Sequence, residues 1–446
     1  MQNYHRPVLH FTPQKGWIND PNGLVYENGN YHLFAQHYPD DVQWGPMHWY
    51  HAVSKDLVHW QHLPIALAPD ELGMIFSGSA VYDAENTSGF GSKEHPAIVA
   101  MYTSHGETEQ QSLAWSVDFI HFHKYEDNPV IPNTALPDFR DPKILPNPQG
   151  GWTVVLAAGD RVVFYASQNL KDWEKTGEFY EGNHSAGVWE CPDLFPLMIN
   201  GQEKWVLLVS MSTEHENHGS RTQYFLGRFD GKTFICDRPF SKPEWIDQGY
   251  DNYAGVTFHN TQQRILMGWG MNWAYSSHIP ADTYKGNMTL ARKLALVETP
   301  RGGIRLAQTP ITDGVFDSGT PCNGSLPGGL FRLHIKGSGA GTVTLSNSRG
   351  QELTLGVDEQ NRLFTDRSRA GAVDFDENFA SDWYAKTLSP RWYEGDWEID
   401  LIFDHTICEL FMDKGTLAVT QLVFPDGGYD QVTASPNLQL TVSAPV

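Results

Sequence analysis

The sequence predicts an all-β protein, in which a five-bladed β-propeller is followed by a β-sandwich. Three observations lead to this prediction. Helical periodicity is nearly absent, and a short turn pattern repeats at near-even spacing. After about residue 305 this pattern no longer recurs, and short strand candidates separated by Gly follow. At 446 residues the chain is also long enough for two or three domains.

Short apolar runs bounded by Gly, Pro, Asn and Asp recur along the chain and are typical of β-strands. Examples lie at residues 31–34, 154–157 and 204–209. The longest of these runs has the length of a strand, which is too short to cross a membrane. The sequence therefore predicts neither a membrane span nor a membrane partner.

A seven-residue pattern, S-x-[DN]-[LF]-x-x-[WF], organises the first part of the chain. It starts at Ser54, Ser116 and Ser167, with a degraded copy at Arg228, so successive starts lie 62, 51 and 61 residues apart. A unit of this length with about four strands is the size of one propeller blade. The stretch from the last copy to about residue 305 has room for one more, so the spacing predicts five blades. Chance recurrence is the weaker interpretation because the spacing is near even.

Beyond the segment 300–305 the turn pattern does not recur, whereas strand candidates punctuated by Gly continue, for example at 341–345 and 417–423. Roughly 130 residues of short strands are typical of a β-sandwich. The predicted domains are therefore residues 1–308, the propeller, and residues 309–446, the sandwich.

The charge and composition narrow the class of ligand. The chain has 31 Lys and Arg against 53 Asp and Glu, a formal net charge of −22, which repels phosphate backbones and anionic membranes. We therefore expect no nucleic-acid partner and favour a neutral substrate. The 15 Trp residues suit the flat faces of sugars, although all-β folds are rich in aromatic residues for packing reasons alone.

Four scattered cysteines, Cys191, Cys236, Cys322 and Cys408, form no CxxC pair and no metal-ligand spacing. We expect them to be free thiols, and we expect neither a metal nor a cofactor. The N-terminal segment lacks the basic and apolar regions of a signal peptide, so the expected location is the cytoplasm. None of these features specifies an oligomeric state.

The repeat also allows the positions of three acidic residues to be compared between blades. Asp20, Asp141 and Glu190 lie 34, 26 and 38 residues before the turn pattern of their own blades, and 77–79 (SGS) occupies the matching place in the remaining blade. The first strand of each blade lines the central channel of a propeller, so these side chains are expected to converge there. Converging carboxylates can cleave a glycosidic bond, with one as proton donor, one as nucleophile or base, and one stabilising the developing cation.

Each of these motifs also has an ordinary structural explanation. The segment 19–23, NDPNG, is strong turn chemistry by itself. Arg140 beside Asp141 is compatible with a surface ion pair. Glu190 is harder to explain in this way, because its apolar neighbours indicate burial and a buried Glu needs a partner or a function. A metal site is a weaker alternative, since no His-x-His or EF-hand spacing accompanies the acids.

Three segments in order carry a family resemblance: 17–23 (WINDPNG), 139–142 (FRDP) and 189–193 (WECPD). Two further blocks, 44–49 (WGPMHW) and 76–80 (FSGSA), support it. With these motifs the chain resembles the β-fructofuranosidases and fructan exohydrolases of glycoside hydrolase family 32. The resemblance covers most of the chain and is densest from about residue 8 to 310. It implies a five-bladed propeller followed by a β-sandwich.

The resemblance also implies residue roles. Asp20 would be the nucleophile that attacks the anomeric carbon C2 of a fructosyl unit, Glu190 the acid/base, and Asp141 the stabiliser that holds the ring hydroxyls. Arg140 would help to fix the sugar. Further substrate-binding positions implied in this way are Asn19, Gln36, Trp44, Phe76 and Ser77, with Tyr253, Trp269 and Trp273 shaping the pocket further out. Cys191 would either tune the site or fill space.

The implied activity is that of a retaining, exo-acting glycoside hydrolase that releases terminal β-fructosyl units from levan, inulin, fructo-oligosaccharides and sucrose. The segment 268–273, GWGMNW, is similar to the Trp-rich stretch of levanase- and inulinase-type enzymes rather than to sucrose-6-phosphate hydrolases. The chain departs from the family pattern at Ala35, His37, Tyr38 and Tyr50, which places its leaving-group preference in question.

Four alternatives stand beside this interpretation. They are a fructosyltransferase using the same acids, a sucrose-6-phosphate hydrolase, an inverting glycosidase of the arabinanase type, and an inactive fructan-binding module. The presence of all three acids argues against the last. For the C-terminal sandwich, a structural brace is favoured over a fructan-binding unit.

Overall fold

The computed structural model describes residues 6–133, 135–180, 187–212, 219–237, 243–280 and 283–446. It confirms the all-β prediction. Five sheets of four or five strands are followed by two sheets of six strands. The predicted propeller and sandwich are both present. Within the described ranges, no helix is long and apolar enough to cross a membrane.

The propeller strands are formed where short apolar runs alternate with turn residues, and most of them are buried on both faces. In chain order they are β1 (Gly16–Glu27), β2 (Asn30–Tyr38), β3 (His48–Ser54), β4 (Trp60–His62), β5 (Met74–Tyr82), β6 (Ile98–His105), β7 (Glu109–Ser116), β8 (His123–Lys124), β9 (Phe139–Pro146), β10 (Trp152–Ala158), β11 (Arg161–Ser167), β12 (Glu174–Phe179), β13 (Trp189–Ile199), β14 (Gln202–Met211), β15 (Arg221–Phe229), β16 (Phe234–Cys236), β17 (Tyr253–Thr257), β18 (Ile265–Trp269), β19 (Tyr284–Lys285), β20 (Arg292–Thr299) and β21 (Gly303–Pro310).

Blades one to four each pair four consecutive strands, β1–β4, β5–β8, β9–β12 and β13–β16, and blade five has the order β17-β18-β20-β21. Their first strands, β1, β5, β9, β13 and β17, contact one another in a closed ring. The ring is completed by non-covalent contacts between the first and last blades. Strand β19 pairs in parallel with the start of β1, and His259 N–H donates to the Leu24 carbonyl at 2.8 Å.

The repeated seven-residue pattern forms the turn between the third and fourth strands of a blade. In blade one, Asp56 Oδ1 accepts hydrogen bonds from the backbone N–H groups of Val58 and His59 at 2.9 and 2.8 Å. The same bonds are made by Asp118, Asn169 and Asp230. A polar side chain that caps a turn in this way explains why the third position of the pattern is Asp or Asn. The pattern is therefore structural and lies at the outer strands of the blades.

The sandwich begins beyond the last propeller strand, which ends at Pro310. Its elements are β22 (Thr320–Pro321), β23 (Ser325–Gly328), β24 (Leu330–Gly337), β25 (Gly341–Ser346), β26 (Glu352–Val357), β27 (Arg362–Arg369), the one-turn helices α1 (Glu377–Ala380) and α2 (Asp382–Ala385), β28 (Lys386–Pro390), β29 (Trp397–Asp404), β30 (Ile407–Met412), β31 (Leu417–Leu422), β32 (Tyr429–Ala434) and β33 (Gln439–Ser443).

The two sandwich sheets have the orders β22-β33-β24-β29-β30-β31 and β23-β32-β25-β26-β27-β28. Their facing side chains form one apolar core. In β24, Phe331, Leu333 and Ile335 are fully buried and alternate with partly exposed polar residues, which is the period-two pattern of a half-buried strand. The predicted domain boundary after residue 308 stays a prediction.

Buried charges join the two domains. His10, which precedes the propeller, lies between two sandwich carboxylates, with Nδ1 at 2.9 Å from Asp404 Oδ2 and Nε2 at 3.3 Å from Glu409 Oε1. Arg292 of β20 contacts the other oxygen of Glu409 at 3.0 Å and Asp247 at 3.1 Å. All of these side chains are essentially inaccessible to solvent. The sandwich is thus fixed to the propeller by paired ionic groups that are costly to separate.

His10→Gln is expected to destabilise the protein in a pH-dependent way. Burial alone would lower the pKa of His10, but the hydrogen bonds and charges of Asp404 and Glu409 outweigh it and raise that pKa from 6.5 to about 9. The protonated ring therefore contributes on the order of 3 kcal/mol, present in full below about pH 6.5 and lost as the pH rises through about 9. Thermal unfolding midpoints at pH 6, 8 and 10 measure this contribution.

The matched control for this experiment is His95→Gln, because His95 is exposed on the propeller surface. It should leave the midpoint unchanged at each pH. An equal loss of stability at pH 6 and pH 10 for His10→Gln would contradict a charged His10.

Candidate active site

The same irregularity occurs in the first strand of every blade. Where that strand pairs with its neighbour, two residues stand opposite one, which is a β-bulge. The five bulged pairs are Asn19 and Asp20, Phe76 and Ser77, Asp141 and Pro142, Cys191 and Pro192, and Ala254 and Gly255. Bulges redirect side chains out of the regular alternation, and here they do so at one level of the central channel.

Three of these bulges also place a non-glycine residue in the left-handed region. The φ angles are 65° at Asp141, 45° at Cys191 and 54° at Ala254. Such residues are uncommon and cost free energy, and they concentrate at functional sites. The local backbone is therefore arranged to direct particular side chains rather than to maximise regular pairing.

A cavity of about 630 Å³ opens at this level, which is within the range of small-molecule sites. Ten of the twelve site residues predicted from the sequence line it. They are Asn19, Asp20, Gln36, Trp44, Phe76, Ser77, Arg140, Asp141, Glu190 and Trp273. The three predicted carboxylates, from blades one, three and four, therefore meet in one cavity.

Asp20 is held at both carboxylate oxygens. Ser77 Oγ donates to Oδ2 at 2.7 Å, and Asn19 Nδ2 donates to Oδ1 at 3.0 Å. Asn19 is oriented in turn by Trp17, whose Nε1 donates to its Oδ1 at 2.7 Å. The Cys191 thiol lies 3.4 Å from Asp20 Oδ2. Neutral donors thus fix the direction of this carboxylate at the cavity wall.

Asp141 lies on the adjoining wall and is almost completely buried. Its Oδ2 accepts the backbone N–H of Cys191 at 2.9 Å, and its own N–H donates to Thr103 Oγ1 at 3.0 Å. Burial raises the pKa of Asp141, and this effect outweighs the opposing charge of Arg140. Both side-chain and backbone contacts therefore hold Asp141 in its left-handed conformation.

Glu190 differs from the other two acids in its partners. Arg140 Nη2 donates to Oε1 at 3.0 Å, and the Tyr253 hydroxyl donates to Oε2. Burial raises the pKa of Glu190, an effect that the Arg140 charge and the Tyr253 hydrogen bond oppose and that Asp20 reinforces. A carboxyl group with a raised pKa beside a second, firmly held carboxylate is the arrangement expected of a proton donor and a nucleophile.

Tyr253→Phe is expected to move the pH dependence of the reaction while leaving the fold intact. The lost hydrogen bond favours the charged form of Glu190, so its removal raises the pKa of Glu190 further and extends the basic limb of the kcat/KM profile to higher pH. We expect kcat to fall about tenfold, since Glu190, the predicted acid/base, is oriented less well. Steady-state rates between pH 4 and 9 measure both effects.

Tyr393→Phe in the sandwich is the control, because Tyr393 lies outside the cavity. A basic limb that stays in place, or moves to lower pH, would rule out this role of Tyr253.

Aromatic rings form the remaining walls. Phe76 stacks on His105 with ring centroids 4.0 Å apart, and Trp44 meets the edge of Phe76 while remaining 44% exposed. Trp273 lies across the cavity and stacks on Trp17 at 5.8 Å. Exposed rings at a polar cavity are suited to the CH faces of sugars.

Trp269 and Tyr253, which the sequence predicts to shape the pocket further out, do not line the cavity themselves. Trp269 is fully buried and packs against Trp17 and Trp273 at 5.9 and 4.7 Å, because it lies in strand β18, one strand outward from the channel. It supports the wall from behind. Tyr253 is buried as well and acts through its hydroxyl on Glu190.

Four cavity residues were not predicted from the sequence: His105, Glu109, Asp138 and Ser212. His105 and Glu109 end β6 and begin β7, so they project from a hairpin rather than from a first strand. The comparison of distances to the turn pattern identifies equivalent positions only in the first strands, so it could not predict these residues. Asp138 stands two residues before Arg140. Its positive φ of 47° marks an unusual backbone position, but this angle is visible only in the structure and not in the sequence.

Within the part of the chain that the structure describes, no group of three or more His, Cys, Asp and Glu side chains is arranged to hold a metal ion. The four cysteines, all in described segments, form no disulfide bond.

Comparison with known proteins places the chain in a family. Residues 10–310 match the family model described as "Glycosyl hydrolases family 32 N-terminal domain", and residues 311–443 match "Glycosyl hydrolases family 32 C terminal". The chain is 40% identical over 455 residues to a levanase of Bacillus subtilis (strain 168), covering 95% of this chain and 67% of the relative. It is 35% identical over 490 residues to an extracellular exo-inulinase of Aspergillus ficuum, covering 95% and 90%.

A solved structure gives the same picture. The crystal structure of an exo-inulinase from Aspergillus awamori matches with a TM-score of 0.91 at 31% identity, covering 100% of this chain and 99% of that one.

Proposed function

The chain belongs to glycosyl hydrolase family 32, and on that premise we propose that it is a retaining, exo-acting β-fructosidase. Its substrates are fructans such as levan and inulin, fructo-oligosaccharides and sucrose. The observation that carries the proposal is the convergence of Asp20, Asp141 and Glu190 in one cavity, with unlike partners for each acid.

The two steps of the reaction follow from these partners. Asp20 attacks C2 of the fructosyl unit while Glu190 gives its proton to the leaving oxygen, so the glycosidic bond breaks as an ester to Asp20 forms. Glu190 then takes a proton from water, which attacks C2, releases fructose and frees Asp20. Asp141 holds ring hydroxyls and stabilises the positive charge that develops on the ring.

Exo action is supported by the closed floor of the channel. Beneath the carboxylates, Lys143 Nζ of blade three donates to the Thr257 carbonyl of blade five at 2.5 Å and lies 3.2 Å from Asp193 Oδ2 of blade four. All three residues are buried, and their contact joins three blades across the channel. A polysaccharide therefore cannot pass through the channel at this level, which favours entry of a chain end from the open side.

The substrate class is supported by the relatives, which are named as a levanase and exo-inulinases. It is also supported by the exposed ring of Trp44 beside Phe76 at the cavity edge.

A time course of digestion tests the proposal. The enzyme is incubated separately with levan, inulin and sucrose, the products are separated by chromatography, and the anomer released first is identified by NMR. We expect free fructose as the only early product from the polymers, released in the β configuration. A ladder of oligosaccharides would indicate endo action, early α-fructose would indicate inversion, and dominant oligosaccharide synthesis at high sucrose would indicate a transferase.

A further inference from the structure

We propose that Glu109 and Asp138 form an acidic edge of the cavity that selects uncharged leaving groups and rejects those that carry a phosphate. This inference rests on the proposed function and specifies its substrate class. Neither residue belongs to the three sequence motifs, and both line the cavity. Their position, their charges and the single cation beside them carry the argument.

The acidic edge is joined to the proposed proton donor by Arg140. Arg140 Nη2 contacts Glu190 Oε1, and its Nη1 contacts Glu109 and Asp138. In the proposed reaction Glu190 gives its proton to the leaving oxygen, so the leaving group lies beside Glu190 and next to Arg140 and the acidic edge.

Arg140 is already saturated with carboxylates. Its Nη1 lies 3.2 Å from both oxygens of Glu109 and 2.8 Å from Asp138 Oδ1, while Nε and Nη2 contact Glu190 at 3.3 and 3.0 Å. Each guanidinium nitrogen thus contacts a carboxylate. An incoming phosphate finds this cation neutralised by its neighbours.

The rest of the cavity does not supply a substitute. Among the described residues that line it, Arg140 is the only Lys or Arg, against five Asp and Glu. The remaining basic group is His105, whose Nδ1 lies 3.2 Å from Glu109 Oε1 and whose ring stacks on Phe76. In a partly desolvated cavity, the carboxylates of Glu109 and Asp138 repel a phosphate dianion much more strongly than in bulk water.

The same edge is favourable for a neutral sugar. Glu109 and Asp138 offer carboxylate oxygens, and a sugar hydroxyl can donate to them while the phosphate of a phosphorylated sugar cannot. The side chain of Asp138 is 36% exposed, so it is accessible to such a hydroxyl. Discrimination therefore has both an attractive and a repulsive component.

The test compares kcat/KM for sucrose and sucrose-6-phosphate, in which the phosphate is on the leaving glucose. We expect the unaltered enzyme to prefer sucrose by about 100-fold or more. Glu109→Gln and Asp138→Asn should each reduce that ratio by about tenfold, because each removes one repelling charge and releases part of Arg140. Asn at position 138 suits the left-handed backbone there, so that variant should fold normally.

Glu107→Gln is the matched control, because Glu107 is exposed in the same hairpin and does not line the cavity. It should leave the ratio unchanged. Inhibition by glucose and by glucose 6-phosphate supplies a second measurement that requires no turnover of the phosphorylated substrate. Raising the salt concentration should narrow the preference.

Equal or better hydrolysis of sucrose-6-phosphate by the unaltered enzyme would overturn the acidic edge while leaving the β-fructosidase proposal standing. Variants that leave both the ratio and the inhibition pattern unchanged would do the same. Absence of turnover with every neutral fructoside would instead overturn the proposed function, and with it this inference.

Discussion

Asp20→Asn is expected to lower kcat on sucrose and levan by about four to six orders of magnitude. An amide cannot form the ester to C2 through which the proposed reaction passes. The replacement is nearly isosteric, and its oxygen can still accept from Ser77 Oγ, which now lies 2.7 Å from Asp20 Oδ2. The loss should therefore be in kcat, with substrate affinity largely kept. Stopped assays with high enzyme concentration and isothermal titration with sucrose measure the two quantities.

The control is Asp160→Asn, the same chemical change at an exposed residue paired with Arg161. It should retain full activity, and both variants should unfold at the temperature of the unaltered protein. Turnover by Asp20→Asn within tenfold of the unaltered rate would remove Asp20 from the role of nucleophile.

Glu190→Gln is expected to lower kcat on sucrose by about two to four orders of magnitude. The amide cannot deliver a proton to the leaving glucose. For a p-nitrophenyl fructoside, whose leaving group needs little protonation, the rate of the first step should be reduced much less by this substitution. Added azide, which attacks without base assistance, should restore the second step. Dependence on the leaving group distinguishes a lost acid from a damaged pocket.

The pH profile supplies an independent readout for the same variant. In the proposed reaction the protonated form of Glu190 is the active acid, so its raised pKa should extend activity toward higher pH, and activity should fall when the proton is lost. Glu190→Gln should abolish that basic limb, whereas Glu174→Gln, at an exposed position of β12, should preserve it. A basic limb that persists in Glu190→Gln would assign it to another group.

Much of this site was accessible from the sequence because a propeller repeats. The turn pattern at Ser54 and its later copies marks the same outer turn in each blade, so distances counted back from it reach equivalent places in the first strands. That reasoning brought Asp20, Asp141 and Glu190 together without coordinates. Their individual roles could be assigned only from the resemblance of the motifs to a family, since spacing gives no information about hydrogen-bond partners.

What spacing could not predict was the bulge in each first strand. A bulge is a choice of register between two strands, and residues such as Cys191 and Ala254 carry no general preference for the positive φ that they adopt there. The burial of Trp269 could not be predicted from the sequence for a related reason. A Trp-rich segment beside a pocket does not reveal which ring faces the ligand and which lies beneath it. Glu109 was missed because hairpin tips fall outside the repeat's equivalences.

The closure of the ring by β19 and by the contact of His259 with Leu24 has a consequence for the order of events on heating. Asp20 belongs to the first blade and Tyr253 to the last, so the seam between these blades runs beside the reacting groups. A seam held by a few hydrogen bonds opens at lower free energy than a whole blade. A slight parting there would separate Asp20 from Tyr253, whose hydroxyl orients the proposed acid/base Glu190, so heat should abolish turnover several degrees before either domain melts.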